Sequence, residues 1–330
     1  YWFGAFISFG IVVIYVATSG VRGAAWSDVF QAILMLVIAW ILGMYFVQKL
    51  HGGIGNMFET INNSNNEFLL IGEEGSAMSK ARYSSNIIIS MIGFVMWPHL
   101  FTKSYTTTEK RIKTTVAVYP IFALFLLPVL FIGFSGYGIV SSDQIENSGQ
   151  ILPYLITNYL TESGLLYGIV GAGALAAAMS SSDAITHGAS VSFGRDICKA
   201  IYSKIPENIE LWIMRGAVFG VGSIAYLIAI FGSEGLIQLL LGAYGPIAQL
   251  APAVYSSLFF RKVSAISIII GLILGVCISI YYQYFADSTL FDLHAGLIGL
   301  AVNVTAVFVF SNVYKQSGNE IVKAQEFNEI

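Results

Sequence analysis

Charged residues are scarce in this chain. Asp, Glu, Lys and Arg make up 11% of its 330 residues, whereas an average soluble domain has about 25%. Hydrophobic residues make up 56%, and the mean hydropathy is +0.74. The shortage of charge excludes a soluble domain and predicts an all-α polytopic membrane protein whose surroundings are the lipid bilayer. The formal net charge of −3 is too small to indicate a nucleic-acid partner.

Cysteine is also rare, with only Cys198 and Cys277. These two residues are far apart and show no metal-ligand spacing, which excludes a disulfide framework and a zinc site. A basic n-region and a small-residue cleavage site are lacking as well, so the chain shows no signal peptide. Because it begins YWFGAF, inside an apolar run and without Met, we expect its N-terminal part to be missing.

Long apolar runs dominate what is present. A helix needs about 20 apolar residues to cross a bilayer. The chain contains about nine uncharged, mostly apolar runs of about that length, which predict about nine transmembrane helices. We expect residues 1–314 to form a single transmembrane domain, incomplete at its N-terminus, and residues 315–330 to form a polar tail. The runs lie near residues 1–21, 29–48, 83–102, 115–140, 164–182, 211–233, 235–260, 263–286 and 293–314.

The positive charges predict the orientation of these helices. If the first run leads from outside to inside, thirteen of the 16 Lys and Arg residues fall on the inside and three fall outside. The three outside are Lys49, Lys80 and Arg82. Cytoplasmic loops carry the excess of Lys and Arg, so we expect a cytoplasmic C-terminus and a multi-pass protein of the plasma membrane.

Glycine and proline interrupt two of the runs. The third ends GFVMWPH, and the seventh contains GAYGP, with Pro252 following. Proline removes an amide donor, and in lipid the freed carbonyls must be satisfied by protein, water or an ion. Transporters use such broken helices to offer carbonyls and helix ends to a solute and a cation. A kink that only aids packing is the alternative.

One apolar run carries polar residues at its centre: residues 171–199 read GAGALAAAMSSSDAITHGASVSFGRDICK. Intramembrane polar residues are costly and usually face a pathway or a partner. The hydroxyls of Ser180 and Ser181 and the carbonyl of Ala177, one turn earlier, form a partial oxygen cage that suits a hard cation. The alternative is that the serines bond carbonyls of their own helix.

Asp183 and His187 follow at i, i+4 spacing and share a helix face. They form a proton relay, a metal site or a polar pair near the cytoplasmic exit. We assign Asp183 to a cation path.

Three segments resemble one known family. AAAMSSSDAITHGASVSFGRDICK resembles the signature helix of the sodium:solute symporter family. SGVRGAAWSDVFQAILML is similar to its Gly-rich loop and the Trp-Thr-Asp and Gln segment that follows. WPHLFTKSYTTTEKRIKTT is similar to its cytoplasmic connector, with Thr102-Lys103 where the family has Gln-Arg. The Trp-Pro-His string is nearer to the pantothenate and monocarboxylate members.

This resemblance implies the five-plus-five inverted-repeat fold of the leucine-transporter class. The chain then corresponds to core helices 4–10 and two further C-terminal helices. Core helices 1–3 of the parent chain are its missing partners. In the family, core helix 1 completes the sodium cage with carbonyls and supplies much of the substrate site.

The resemblance also implies site residues. Ala177, Ser180 and Ser181 match the sodium ligands, and Asp28 matches an acidic residue of the cation path. Helix capping by Ser27 and Asp28 is the alternative for the latter. The positions that match the substrate site are Ser90, Gly93, Trp97 and Gln238. Sugar carriers have Asn and an aromatic gate where this chain has Ser90 and Gly93, which favours a small organic anion over a sugar.

The resulting hypothesis is symport of a small solute coupled to Na⁺, with a monocarboxylate or pantothenate as the solute. A proton-coupled carrier and a non-transporting solute sensor of the same fold remain as alternatives. An intramembrane enzyme is a remote alternative, because the chain has no nucleophile elbow, no HExxH motif and no paired intramembrane aspartates. We therefore do not expect an enzyme.

Overall fold

The computed structural model describes residues 2–72, 78–104, 107–141, 143–145, 148–160, 164–232, 236–260, 263–318 and 320–322. Within these ranges, the side chains of residues 2, 19–24, 65–66, 102–104, 122, 166 and 236–238 are outside the description. The described backbone is mostly helical and contains no strand. Its α-helical segments are α1 (Trp2–His51), α2 (Ile54–Asn65), α3 (Lys80–Phe94), α4 (Pro98–Ser104), α5 (Glu109–Phe122), α6 (Leu126–Ser135), α7 (Ile151–Tyr159), α8 (Gly164–Val191), α9 (Lys199–Ile201), α10 (Glu207–Phe231), α11 (Leu236–Ala248), α12 (Ala251–Phe259), α13 (Ala265–Tyr284) and α14 (Ala295–Val313).

Six helices of the described part are long and apolar enough to cross a membrane. They match six of the nine predicted runs, and they are Ala25–His51, Glu109–Ser135, Tyr167–Ile201, Glu207–Phe231, Ala265–Tyr284 and Ala295–Val313. The other three runs form shorter pieces. The first gives the apolar stretch Phe3–Thr18, and the third and seventh are each broken into two short helices. The count of nine stays a prediction.

The first two predicted runs belong to one continuous helix. The 50 residues of α1 do not form a straight rod. The hydroxyl of Tyr15 lies 3.4 Å from Ser27 Oγ, although twelve residues of straight helix would separate the two Cα atoms by about 18 Å. The segment therefore bends sharply between Tyr15 and Ser27, in a stretch that contains two glycines and no proline.

Both predicted helix breaks are present. The first ends α3 at Phe94 and starts α4 at Pro98, where proline is favoured because its missing amide is not needed in the first turn. The second separates α11 from α12 at Gln249 and Leu250. There, Gln249 Nε2 donates to the carbonyls of Gly245 at 2.9 Å and of Gly296 at 3.0 Å. This break is therefore closed by the protein's own amide.

The chain divides into two compact units. The first comprises residues 1–61 and 98–234, and the second comprises residues 62–97 and 235–330. In the first unit, α1 packs against α6, α8 and α10. Its main buried cluster is Ile38, Leu42, Phe46, Ile132, Leu155, Leu160 and Val170, and a smaller one joins Val13 and Val16 of α1 to Val218 of α10.

Close packing of α13 on α14 dominates the second unit. Glycines make the approach possible, as is common where membrane helices cross. A Cβ on Gly271 would stand 2.5 Å from Val307 Cγ2, and one on Gly275 would stand 2.7 Å from Asn303 Cβ. Asn303 Nδ2 in turn donates to the backbone carbonyl of Gln249 at 2.9 Å. The glycines thus bring α14 close enough to bond the α11–α12 break.

We expect Gly275→Ala to destabilise the protein by about 1–3 kcal/mol, because the added methyl meets backbone and buried side-chain atoms that cannot yield. The matched control is Gly216→Ala in α10, where a Cβ meets nothing within 4 Å. That substitution should be neutral or stabilising by up to about 1 kcal/mol. Thermal unfolding in detergent gives both values. Equal melting temperatures for the two variants would contradict the packing argument.

Candidate functional site

The polar residues of α8 meet α1 in the first unit. Ser180 Oγ donates to Asp28 Oδ1 at 3.2 Å, across 152 positions of sequence. Farther along the same pair of helices, Gly173 lies against Ile38, whose Cγ2 would be 3.3 Å from a Cβ at that position. The small residue lets the helices approach, and the approach brings hydroxyl and carboxylate together. The structure therefore joins two residues that the sequence analysis assigns separately.

Asp28 lies in the middle of α1, far from either helix end. Because α1 bends between Tyr15 and Ser27, the alternative that Ser27 and Asp28 stabilise the start of the second part of α1 stays a prediction. Ser27 Oγ lies 3.4 Å from the hydroxyl of Tyr15, three turns earlier in the same helix. Asp28 is half-buried, and its carboxylate faces α8 through the bond to Ser180.

The three serines of α8 have different environments. Ser180 is half-buried and bonds Asp28 across the interface, whereas Ser181 is exposed. Ser182 Oγ donates to the carbonyl of Ala178 in its own helix, which is the ordinary arrangement for a membrane serine. Ala177 is half-buried inside the uninterrupted helix. Its carbonyl points along the axis towards the amide of Ser181, as helical geometry requires.

Asp183 is fully buried, and neither of its carboxylate oxygens has a hydrogen-bond partner. It lies three residues beyond Ser180, so the two share a face of α8. No hydrogen bond joins it to His187. A buried carboxyl without a partner is expensive, and positions of this kind are typical of ion or proton pathways.

Gln31 offers a further side-chain oxygen that could ligate a cation, and the sequence analysis gives this residue no role. It is 7% exposed, and its Oε1 has no hydrogen-bond partner. It lies three residues after Asp28 on α1, on the face that meets α8. The signal that identifies it is an amide near the start of the apolar run 29–48, because polar residues inside such runs usually face a partner or a pathway.

The oxygens on these faces of α1 and α8 suit a hard, singly charged cation. Hydroxyl, amide and carboxylate oxygens are the donors that such ions prefer. Among the described residues, no group of three or more His, Cys, Asp or Glu side chains is close enough to hold a metal ion. The donor set therefore fits an alkali cation better than a transition metal.

The predicted substrate residues lie in the second unit. Ser90 and Gly93 share a face of α3, and Trp97 follows the end of that helix, directly before Pro98. A Cβ on Gly93 would stand 2.7 Å from Tyr244 Cδ1, and the Trp97 and Tyr244 rings meet edge to face with centroids 5.8 Å apart. Tyr244 of α11, to which the sequence analysis gives no role, is therefore the contact that brings Gly93 and Trp97 together.

Ser90 is half-buried and makes no hydrogen bond among the described residues. Gln238 belongs to α11 by its backbone, but its side chain lies outside the described residues. Within the second unit, the structure thus relates Gly93 and Trp97 to each other and leaves Gln238 as a prediction.

The helices and this intramembrane oxygen cluster define the class: a multi-pass, all-α membrane protein. A model of the sodium:solute symporter family matches residues 1–315, and the chain belongs to that family.

The chain is 30% identical to the uncharacterized symporter YhjB of Bacillus subtilis, over 94% of its own length and 64% of the relative's. It is 23% identical to the sodium/sialic acid symporter NanT of Aliivibrio fischeri, over 94% of its length and 63% of that protein's. The chain thus spans less than two thirds of both relatives.

A solved structure, the substrate-bound outward-open state of a Na⁺-coupled sialic acid symporter, matches with a TM-score of 0.67 and 21% identity. The match covers 94% of this chain and 66% of that one. It confirms the predicted all-α membrane fold of the leucine-transporter class. Both the family and this neighbour are transporters and not enzymes.

We expect Asp183→Asn to raise the melting temperature in Na⁺-free detergent solution. The substitution keeps the size of the side chain and removes a carboxylate that the described structure leaves without a partner. A gain of about 1 kcal/mol corresponds to roughly 2–4 °C for a protein of this size. Asp196→Asn is the control, since Asp196 is exposed near the end of the same helical segment. A lower melting temperature for Asp183→Asn alone would show that the carboxylate is favourably paired.

Proposed function

We propose that this chain is the cation-binding and part of the solute-binding region of a Na⁺-coupled symporter. The observation that carries the proposal is the hydrogen bond from Ser180 to Asp28. It unites an intramembrane hydroxyl with an intramembrane carboxylate on two different helices of a chain that belongs to the sodium:solute symporter family.

The proposed sodium ligands are the carbonyl of Ala177 and the hydroxyls of Ser180 and Ser181. Ser180 is already at the interface with α1, whereas Ser181 is exposed, so its oxygen is free to turn towards an ion. In the family, by resemblance, carbonyls of core helix 1 complete this cage. When bound, the ion supplies a positive charge that neutralises the nearby carboxylate and connects the elements whose oxygens it shares.

Asp28 and Asp183 form the proposed cation path, with Gln31 as an additional oxygen. Asp28 holds its carboxylate against Ser180, and Asp183 and Gln31 present oxygens that no protein group engages. A cation that leaves the serines finds these acceptors on the same faces of α1 and α8. The ion drives transport only if it binds one conformation more tightly than the other, and a carboxylate shared by two helices supplies such a difference.

A small organic anion is the proposed solute. Gly93 and the aromatic pair Trp97–Tyr244 leave little room beside α3, and the Ser90 hydroxyl has no protein partner there. A hydroxyl donor beside aromatic rings suits a carboxylate with a compact apolar body. NanT, a sodium/sialic acid symporter, shows that a member of the family carries an organic acid.

We also place the protein in the plasma membrane, with residues 1–314 as one transporter domain and residues 315–330 as a cytoplasmic tail. The distribution of Lys and Arg supports this orientation.

Sodium binding is tested by thermal unfolding in NaCl and in KCl at equal ionic strength. A ligand that binds only the folded state at one hundred times its dissociation constant stabilises it by about 2.7 kcal/mol, so NaCl should raise the melting temperature. We expect Ser181→Ala and Asp28→Asn to shift the Na⁺ titration to concentrations at least about tenfold higher.

The control for this titration is Ser182→Ala. Ser182 is the neighbour of Ser181, but it bonds its own helix, so its removal should leave the Na⁺ dependence unchanged. An identical titration for Ser181→Ala and Ser182→Ala would remove the serine pair from the cation site.

Transport itself is tested in vesicles that contain the longest protein encoded by the gene, because the relatives are longer than the matched region. We expect an inward Na⁺ gradient to drive accumulation of a carboxylate from a panel of acetate, pyruvate, pantothenate, sialic acid, proline, choline and glucose. Accumulation of choline or glucose alone would refute the organic anion and leave the cation site intact. Accumulation driven only by a proton gradient would favour the proton-coupled alternative. No accumulation, with Na⁺ binding retained, would favour the sensor.

A further inference from the structure

The second unit contains a long apolar groove between α12 and α14. Its volume is about 830 Å³, within the range of about 300–1,000 Å³ typical of ligand pockets. Ala251, Leu300 and Val307 form its floor and are each at most 8% exposed. Phe260 and Phe308 lie at its rim and are 66% and 74% exposed. The groove is therefore a deep slot with aromatic edges.

The groove follows the axis of a membrane-spanning helix. Its lining residues recur along α14 from Leu300 to Asn312, which is about 18 Å of helix, and Lys315 follows just beyond the helix end. This length lies within the candidate span Ala295–Val313. Half of a bilayer's hydrocarbon core is about 15 Å thick. The groove is thus about as long as the acyl region of one leaflet, and Lys315 lies near the level of the headgroups.

Polar residues gather at that end of the groove. Asn312, Lys315 and Gln316 line it there. Asn312 Nδ2 donates to the carbonyl of Phe308 at 2.9 Å, and Gln316 Nε2 donates to the carbonyl of Val263 at 3.0 Å. Lys315 is exposed and has no ion pair or hydrogen bond among the described residues. Its ammonium group therefore remains available to a ligand in the groove.

One carboxylate lies near this end and is already engaged. Glu320 Oε2 accepts from the amide of Ser317 at 2.7 Å, and Glu320 Oε1 accepts from the amide of Ala265 at 3.1 Å. These hydrogen bonds, that from Ser317 above all, hold the pKa of Glu320 below its ordinary value. The carboxylate is thus directed at the backbone.

We propose that this groove binds one acyl chain of an anionic phospholipid, with the lipid phosphate at Lys315. The apolar floor replaces contacts with neighbouring lipid tails, and the aromatic rim holds the chain along α14. The ammonium of Lys315 supplies the charge that selects an anionic headgroup. The proposal is independent of the transported solute and of the coupling ion.

The test uses the purified protein in mild detergent, incubated with equal amounts of phosphatidylglycerol and phosphatidylcholine. Native mass spectrometry counts the lipids that stay bound. We expect the protein to retain phosphatidylglycerol preferentially, and Lys315→Gln to reduce that preference about fivefold. Lys204→Gln is the charge control, because Lys204 is exposed in the first unit, far in sequence from the groove.

A second pair of variants tests the groove itself. Val304 and Val309 both lie on α14 and are 52% and 51% exposed, but only Val304 lines the groove. Val304→Trp should abolish retention of both lipids, whereas Val309→Trp should leave it unchanged. Unchanged lipid retention in Val304→Trp would overturn the proposal, because the retained lipid is then bound outside the groove. Equal losses in the Lys315 and Lys204 variants, or no lipid preference at all, would also overturn it.

Discussion

The hydrogen bond between Ser180 and Asp28 is the interaction on which the candidate cation site depends. In a bilayer, a polar side chain must find its partner within the protein. The bond therefore fixes which face of α8 packs against α1. The close approach of Gly173 to Ile38 brings the two helices near enough for Ser180 Oγ to reach Asp28 Oδ1. The same packing fixes the positions of the other oxygens on the two helix faces. Gln31 lies three residues after Asp28 on α1, and Asp183 lies three residues after Ser180 on α8.

Buried polar atoms in the second unit are only partly engaged. The side chain of Gln249 donates to the carbonyl of Gly245, which the helix break leaves without its helical partner, and to the carbonyl of Gly296 in α14, and Asn303 bonds Gln249 in turn. Among the described residues, Asn86 Oδ1 and Ser279 Oγ of this unit have no hydrogen-bond partner, and the same holds for the carboxylate of Asp183 and Oε1 of Gln31 in the first unit. Such groups reduce stability in either unit, so the bond between Ser180 and Asp28 carries the candidate cation site, and the unpartnered oxygens do not carry it alone.

The sequence predicted much of the fold because hydropathy reports directly on helices in lipid. The all-α membrane class, six of the apolar spans and both broken helices follow from composition, run length and the positions of proline. The continuity of α1 does not follow, because a run of small and polar residues without proline is compatible with a loop or a helix.

By itself, the sequence determined which residues are candidates for the cation site. Serines and carboxylates are conspicuous in an apolar run of sequence, and their spacing predicts which of them share a helix face. Only the tertiary structure decided how each is used. Ser180 bonds another helix and Ser182 bonds its own, although both are serines of the same run. Tyr244 meets Gly93, and Lys315 lies at the end of a groove. These outcomes depend on which helix packs against which face, and local sequence does not encode contacts between residues more than a hundred positions apart.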